Sequence, residues 1–309
     1  MHARGLAVCI VVTPGSGEGR ARHIARRLGR LLRRRGAGVS IRPFGDLSSL
    51  LEWAKTSGPE FSAIFCVGGD ATQSAAARLA VRHRIPFVPI PNGFGNLFAS
   101  VFGYPASPRR AVRLLDEGEI RMVDAGLVGD ELFLSHKSYG FLDQVQERVE
   151  EGRGQPRRRA LRLLAYYVTA ARAVCTTALE PLRVEVDGTT LIEEAVVVTV
   201  ANVETYRDFL PLTPAASPID GRFDVFVIPR TSKLGLAWRL LKLRLHLPGR
   251  WSGVSLHRGR EVVVSSAARR EKLRVVRRVL PLLLPPGVIE QLKRRQVEVE
   301  EEVPVETVA

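Results

Sequence analysis

Ala63-Ile64-Phe65-Cys66-Val67-Gly68-Gly69-Asp70-Ala71-Thr72 runs five apolar residues into two glycines, an acid and a threonine. The apolar run suits a strand buried on both faces, and a helix is expected to begin at once after the glycines. Glycines between a strand and a helix let backbone amides approach a ligand closely, and the helix start adds partial positive charge. That combination suits a phosphate chain. Taken alone, the same residues would also serve as a tight strand-to-helix turn with Asp70 or Thr72 as helix cap. Neither the P-loop spacing nor the dinucleotide Gly-x-Gly-x-x-Gly pattern is present.

Two neighbours give the stretch a context. The strand Phe87 to Ile90 is followed by a second glycine loop, Pro91-Asn92-Gly93-Phe94-Gly95-Asn96, which leads into a helix from Leu97 to Val101. Upstream, the apolar run Leu6 to Val12 ends in Thr13-Pro14-Gly15-Ser16-Gly17-Glu18-Gly19, and a helix to Gly36 follows, with Ala21, Ile24, Ala25, Leu28, Leu31 and Leu32 on one face. Strand and helix alternate through Val39 to Arg42, a helix from Leu47, the run Ala63 to Val67 and a helix from Thr72. This is the pattern of a doubly wound parallel sheet. Ligands usually bind such sheets at the carboxyl ends of the strands, where all three glycine loops are expected to lie.

After Asp124 the pattern becomes mainly antiparallel. Expected strands are Leu182 to Val186, a hairpin at Asp187-Gly188, Val196 to Ala201, Phe223 to Ile228, Glu261 to Ser265 and Leu273 to Val279. Helices are expected at 156–176, with Arg157, Arg158, Arg159 and Arg162, and from Lys233 to Leu247, with Arg239, Lys242 and Arg244. Their basic faces suit anionic lipid headgroups, although packing on the sheet would explain the apolar stripes equally well. The sequence therefore divides into an α/β domain over 1–125, a β-sandwich domain over 126–295 and an acidic, solvated tail over 296–309.

Composition narrows the classes of function. The 309 residues carry a formal net charge of +14, from 46 Lys and Arg against 32 Asp and Glu, so the surface should attract anions. No recognised nucleic-acid module or interleaving of aromatic and basic residues accompanies the charge, and nucleic acid is the least favoured partner. Cys9, Cys66 and Cys175 lack metal-type spacing and read as buried thiols of a reducing cytosol. Leu6 to Val12 is short for a signal-peptide core and no run is long enough to span a bilayer. The expected location is cytoplasmic, with peripheral membrane association, and a homodimer is compatible with the sequence.

These segments together resemble the diacylglycerol kinase and sphingosine kinase catalytic superfamily, particularly the bacterial soluble lipid kinases. The family's NPxSG, GGDGT and PxGTxN loops match Thr13 to Gly17, Gly68 to Thr72 and Pro91 to Asn96. Val123-Asp124-Ala125-Gly126 looks like its domain junction, Ser138-Tyr139-Gly140-Phe141 like its small-Gly-Phe segment, and Asn202 with Pro214 to Asp224 like its stretch ending in an Asp-Gly motif. The resemblance implies a phosphofructokinase-like nucleotide domain, a β-sandwich, a C-terminal end that returns to the first domain, and ATP meeting an acceptor lipid in the cleft between domains.

On that resemblance Thr13, Gly68, Gly69, Asp70, Ala71, Thr72, Asn92, Gly93 and Asn96 would hold ATP. Asp70 would hold Mg²⁺ through water, and Ser217, Asp220 and Arg222 would form a structural Mg²⁺ site. From the residues alone, Pro218 to Gly221 is only a turn signal. Glu271, in Arg269-Arg270-Glu271-Lys272, stands where the family has the glutamate of a DGE motif, the expected proton acceptor; it also reads as a charged loop residue beside two arginines. The sequence departs from the family at Ala71, at Phe94, at Gln73-Ser74 and in the loss of the Asp-Gly before Glu271. A methyl at Ala71 is tolerated only where φ is negative. An NAD kinase-like enzyme, which would share the Gly-Gly-Asp loop, and a catalytically degenerate lipid- or nucleotide-binding protein are the rival readings.

Overall fold

A computed structural model describes residues 3–13, 15, 19–93, 95–151, 168, 172, 176, 178–205, 210–247, 249–303 and 305–307. Most of the expected helix at 156–176, Phe94, Cys175 and most of the loop after Thr13 therefore lie outside the described residues. In chain order the elements are β1 (Ala7–Val12), α1 (Ala21–Arg34), β2 (Gly38–Pro43), α2 (Leu47–Thr56), β3 (Ala63–Gly68), α3 (Asp70–His83), β4 (Phe87–Pro91), α4 (Leu97–Val101), α5 (Pro108–Glu117), β5 (Glu119–Val128), β6 (Glu131–Phe133), β7 (His136–Gly140) and α6 (Phe141–Glu151). There follow β8 (Leu182–Val186), β9 (Thr189–Ala201), β10 (Phe223–Pro229), α7 (Lys233–Arg244), β11 (Ser255–Gly259), β12 (Glu261–Ser265), β13 (Arg270–Leu284), α8 (Val288–Glu302) and β14 (Val305–Thr307).

The chain forms two units. The first comprises Met1–Ser135, Ser217–Gly221 and Val275–Val297, and the second comprises His136–Ala216, Arg222–Arg274 and Glu298–Ala309. The first unit is thus built from three separate stretches of chain.

In the first unit β1 is flanked by β2 and β3, β4 pairs with β3, and the C-terminal part of β13 pairs with β4, all in parallel. All six residues of β3 are buried, as the unbroken apolar run requires of a central strand covered on both faces. The chain moves from β1 outward to β2, then back past β1 to β3. Right-handed crossovers therefore place α1 and α2 on opposite faces. The packing agrees, with α1 against α5 and α2 against α3. The reversal between β1 and β3 is the switch point at which the loops leaving the two strands diverge.

In the second unit β9 is the central strand. Its first half pairs with β8, its second half pairs with β7 and β10, and all three pairings are antiparallel. Beyond β10 lie β11 and then β14, while β12 and the start of β13 continue from β8. This unit is β-sandwich-like, and the sequence pattern anticipated its antiparallel character.

The expected acidic, solvated tail is corrected. Residues 288–302 form α8 and Val305–Thr307 pairs in parallel with β11. Val303 is buried, and Glu300 accepts a hydrogen bond from Arg258. Arg258 also donates to Asp224, 2.8 Å away, whose carboxyl pKa burial pushes up while Arg258 opposes the shift. A buried carboxylate paired in this way is costly to orphan. Replacing Arg258 with Ala is expected to lower unfolding stability by about 3–5 kcal/mol, read from urea midpoints. A loss below about 1 kcal/mol would show that water, not Arg258, compensates Asp224.

Candidate functional site

The phosphate-loop candidate lies at the carboxyl ends of β1, β3 and β4. Three contacts tie the loops together. Thr13, directly after β1, has its hydroxyl 3.1 Å from that of Thr72 in the first turn of α3. The Asn92 amide donates to the Gly68 carbonyl at 3.1 Å. Gly69 and Gly93 meet backbone to backbone, so that a Cβ on Gly93 would fall 2.6 Å from the Gly69 Cα, and one on Gly69 would fall 3.3 Å from the Gly93 Cα. Close approach therefore excludes a side chain at Gly93 and crowds one at Gly69, and neither glycine has a positive φ. Gly68 is likewise closed to a side chain, because its Cβ would lie 2.6 Å from the Cβ of Thr72.

Helix α3 begins two residues earlier than the sequence suggested. Gly69 is its N-cap, without a side-chain cap bond, and Asp70 its first residue. The Asp70 amide bonds to its own carboxylate, and the helix dipole favours negative charge at the amides that follow it. Ala71 sits in this first turn, exposed and with helical backbone, so its methyl introduces no strain.

The Asp70 carboxylate mainly faces the next loop, although its own amide at the start of α3 also bonds to it. Its Oδ1 accepts the Phe98 amide at 3.1 Å, and the amides of Asn96 and Leu97 also hydrogen-bond the carboxylate. Desolvation raises its pKa, and these amides work against the shift. The Gly68–Thr72 loop thus supplies the cap of the short helix α4, which follows the Pro91–Asn96 loop. Asn96 adopts left-handed φ of 51°, and its side-chain amide closes a ring on Gly93, accepting from the Gly93 amide at 2.7 Å and donating to the Gly93 carbonyl at 2.8 Å.

Gln73 appeared in the sequence only as a departure from the family pattern. It is fully buried, its Nε2 donates to the Gly68 carbonyl at 3.0 Å, and its Oε1 has no partner among the described residues. A glutamine amid the alanines of α3 was the available signal, since a buried amide needs partners. Ser74 accepts the Leu134 amide at 3.2 Å and so takes up a structural role.

The Asp-Gly stretch returns to the first unit. Asp124, buried, accepts the Gly221 amide and the Arg278 amide, each at 2.7 Å, and its own amide donates to the Pro218 carbonyl at 2.8 Å. Gly221 has φ of +74°, and a Cβ there would lie 2.5 Å from Arg277 Nε. Of the three residues expected around a structural Mg²⁺, Ser217 and Asp220 belong to the first unit and Arg222 to the second. Among the described residues, no group of three or more His, Cys, Asp or Glu gathers as a metal site. The oxygen donors present do suit a hard cation: the Ser217 hydroxyl is buried with no partner among the described residues, and Asp220 keeps a carboxylate, one oxygen of which accepts Gln296 Nε2 at 3.1 Å.

Glu271 lies in the second unit. It is not a loop residue but part of β13, opposite Val264 of β12, with its side chain largely buried. Tyr139 of β7 donates its hydroxyl to Oε2 at 2.6 Å, and Arg269 pairs with Oε1. Burial, and then the bond to Glu271, hold the Tyr139 phenol protonated well above its ordinary range. Asp143 is close enough to be influenced by Arg269, Lys137 and Glu271, and desolvation raises its pKa. Tyr139 was visible in the sequence only as part of the Ser-Tyr-Gly-Phe segment, with no hint of its partner.

Comparison with known proteins identifies the family. Residues 7–128 match the diacylglycerol kinase catalytic domain, and residues 138–277 match the YegS C-terminal NAD kinase beta sandwich-like domain. An uncharacterised protein of Synechocystis sp. is 28% identical over 148 residues, covering 48% of this chain and 33% of that protein. The chain thus spans about a third of that relative's length. A "Probable lipid kinase YegS-like" of Pseudomonas fluorescens is 26% identical over 230 residues, 71% of this chain and 74% of its own. A diacylglycerol kinase structure from Bacillus anthracis str. Sterne has a TM-score of 0.64 at 17% identity, covering 91% of this chain and 98% of that one. With both halves matched in order, and with a lipid-kinase-like catalytic domain carrying the three tied glycine loops, the chain belongs to the diacylglycerol kinase/YegS superfamily.

Proposed function

We propose that the protein transfers the γ-phosphate of ATP to a hydroxyl of a membrane lipid, diacylglycerol-like or sphingoid-like, while peripherally attached to a cytoplasmic membrane face. The observation that carries this reading is the backbone contact of Gly69 with Gly93 beside the start of α3. Among the described residues no side chain separates the two loop backbones there, the arrangement a polyphosphate needs.

On this reading the amides of Gly69, Asp70, Ala71 and Thr72 bind phosphate oxygens, and Gly68 keeps the turn tight enough for them to converge. Thr13 and Thr72 add hydroxyls, and Asn92, Gly93 and Asn96 hold the facing loop. Asp70 contributes by fixing α4 against that loop, and through water it is a candidate partner for Mg²⁺. Bound there, Mg²⁺ would neutralise phosphate charge as it develops. A second Mg²⁺, at Ser217, Asp220 and Arg222, would be structural.

The lipid oxygen forms the new bond to γ-phosphorus, the bond from that phosphorus to the β-bridging oxygen breaks, and ADP leaves with the electron pair. Glu271 is the proposed acceptor of the hydroxyl proton, with Tyr139 and Arg269 fixing its orientation.

Incubation with labelled ATP, mixed-lipid vesicles and a series of divalent metals tests the reading. Labelled phospholipid is expected. Its absence under every metal would sink the proposal, ATP binding without turnover would mark a degenerate binder, and phosphorylated NAD would indicate the rival enzyme.

Gly93→Ala, whose methyl must displace the Gly69 backbone, is expected to weaken ATP binding by about 100-fold or more, and Gly69→Ala by clearly less, following the 2.6 and 3.3 Å approaches. Calorimetry reads both, and equal effects would count against the contact as the cradle. Glu271→Gln is expected to lower kcat by about 10²–10⁴-fold at unchanged ATP affinity. A fall of less than about threefold would remove Glu271 as the base.

A further inference from the structure

Helix α7 carries two apolar faces. Leu236 and Leu243 are buried and Leu240 packs beside them on the core of the second unit, with Phe226, Ile228, Leu256, Trp251 and Val254. Leu234, Trp238 and Leu241, with Leu245 at the C-cap, are 83%, 55%, 44% and 55% exposed. At about 100° per residue the two sets point in opposite directions, roughly 160° to 180° apart. The outer set repeats at i, i+4, i+7 and i+11, the spacing of a single continuous stripe.

Cations lie between the two faces. Lys233 and Arg244 project on one flank of the stripe, and Arg239 and Lys242 on the other. From Arg230 to Arg260 the chain carries eight Lys or Arg and no Asp or Glu. Arg239 is already held by the Pro229 carbonyl at 3.3 Å, which keeps its charge beside the helix. An exposed stripe of Leu and Trp between two rows of cations matches the cross-section of an anionic bilayer interface, with acyl chains inward and phosphates at the rim.

We infer that the outer face of α7, Leu234, Trp238, Leu241 and Leu245, is the surface by which the protein seats itself on an anionic lipid bilayer, with Lys233, Lys242 and Arg244 meeting headgroup phosphates. A second copy of the chain is a poorer occupant. Pairing the stripe with itself about a two-fold axis brings cationic flanks against each other, and like charges at an interface cost affinity. The inference deepens the lipid-kinase reading and depends on it for its purpose: a kinase whose acceptor is dissolved in a bilayer must be held at that bilayer.

The test is sedimentation of the full chain with vesicles of phosphatidylcholine alone or mixed with equal parts phosphatidylglycerol. Binding to the mixed vesicles is expected, weakening with salt, together with a blue shift of tryptophan emission that Trp238→Phe abolishes. The triple variant Leu234→Ser, Trp238→Ser, Leu241→Ser is expected to keep its circular dichroism and to lose at least about tenfold in partitioning. Lys233→Gln and Lys242→Gln, which leave the apolar stripe intact, should each lose about fivefold.

Unchanged vesicle binding in the triple variant, equal binding to phosphatidylcholine alone, or a solution dimer that the triple variant dissolves would each overturn the inference. Turnover separates it from the kinase reading. Losing only vesicle-borne acceptor, while a short-chain acceptor dissolved as monomers is still phosphorylated, supports both. Stripe-dependent vesicle binding with no lipid ever phosphorylated supports the docking face and rejects the kinase.

Discussion

The carboxylate of Asp124 holds the first unit together as a piece of chain. It accepts one amide from the stretch Ser217–Gly221 and one from the stretch that begins at Val275, at 2.7 Å each. Both visiting residues, Gly221 and Arg278, have positive φ. For Arg278 that conformation costs about 1–2 kcal/mol, and a hydrogen bond to a buried carboxylate, worth about 1.5–3 kcal/mol, offsets it. A neutral side chain at position 124 would leave two amides and a strained arginine without a reason to meet.

The candidate site obeys the same economy of means. Two carboxylates that the sequence singled out are occupied with backbone: Asp70 holds the start of α4, and Asp124, read as part of a domain junction, holds two returning stretches of chain. Beside them, among the described residues, lie the first turn of α3 and the glycine pair that packs against it. On the proposed reading such a site would bind through oriented dipoles rather than through side-chain charge, which is why no side chain would be tolerated at Gly93.

The parallel sheet was legible because β1 and β3 are unbroken apolar runs ending in glycine loops, a local signal that needs no knowledge of partners. The antiparallel half was legible for the same reason, through its alternation and its Asp187-Gly188 turn. What escaped the sequence depends on distant partners. Asp70 acts on Phe98, 28 positions on. Glu271, placed by local charge in a loop, is drawn into β13 by its pairing with β12 and meets Tyr139 from 132 positions away. The C-terminal glutamates look solvated until Arg258 and the edge of β11 supply an ion pair and a strand partner. In the loops the residue types were readable, but which groups face each other was not.

The discontinuity of the first unit has a consequence for biosynthesis. Its parallel sheet lacks the strand beside β4 until residues 275–284 have been made, although β4 itself ends at Pro91. At about 5–20 residues per second, the exposed edge of β4 waits on the order of ten seconds or more for its neighbour. During that interval the nascent chain presents an unpaired, apolar strand edge, the kind of surface that recruits wrong partners. Ribosome-associated chaperones, and a pace of translation suited to the second half of the message, therefore bear on the yield of native protein as directly as any residue in the glycine loops.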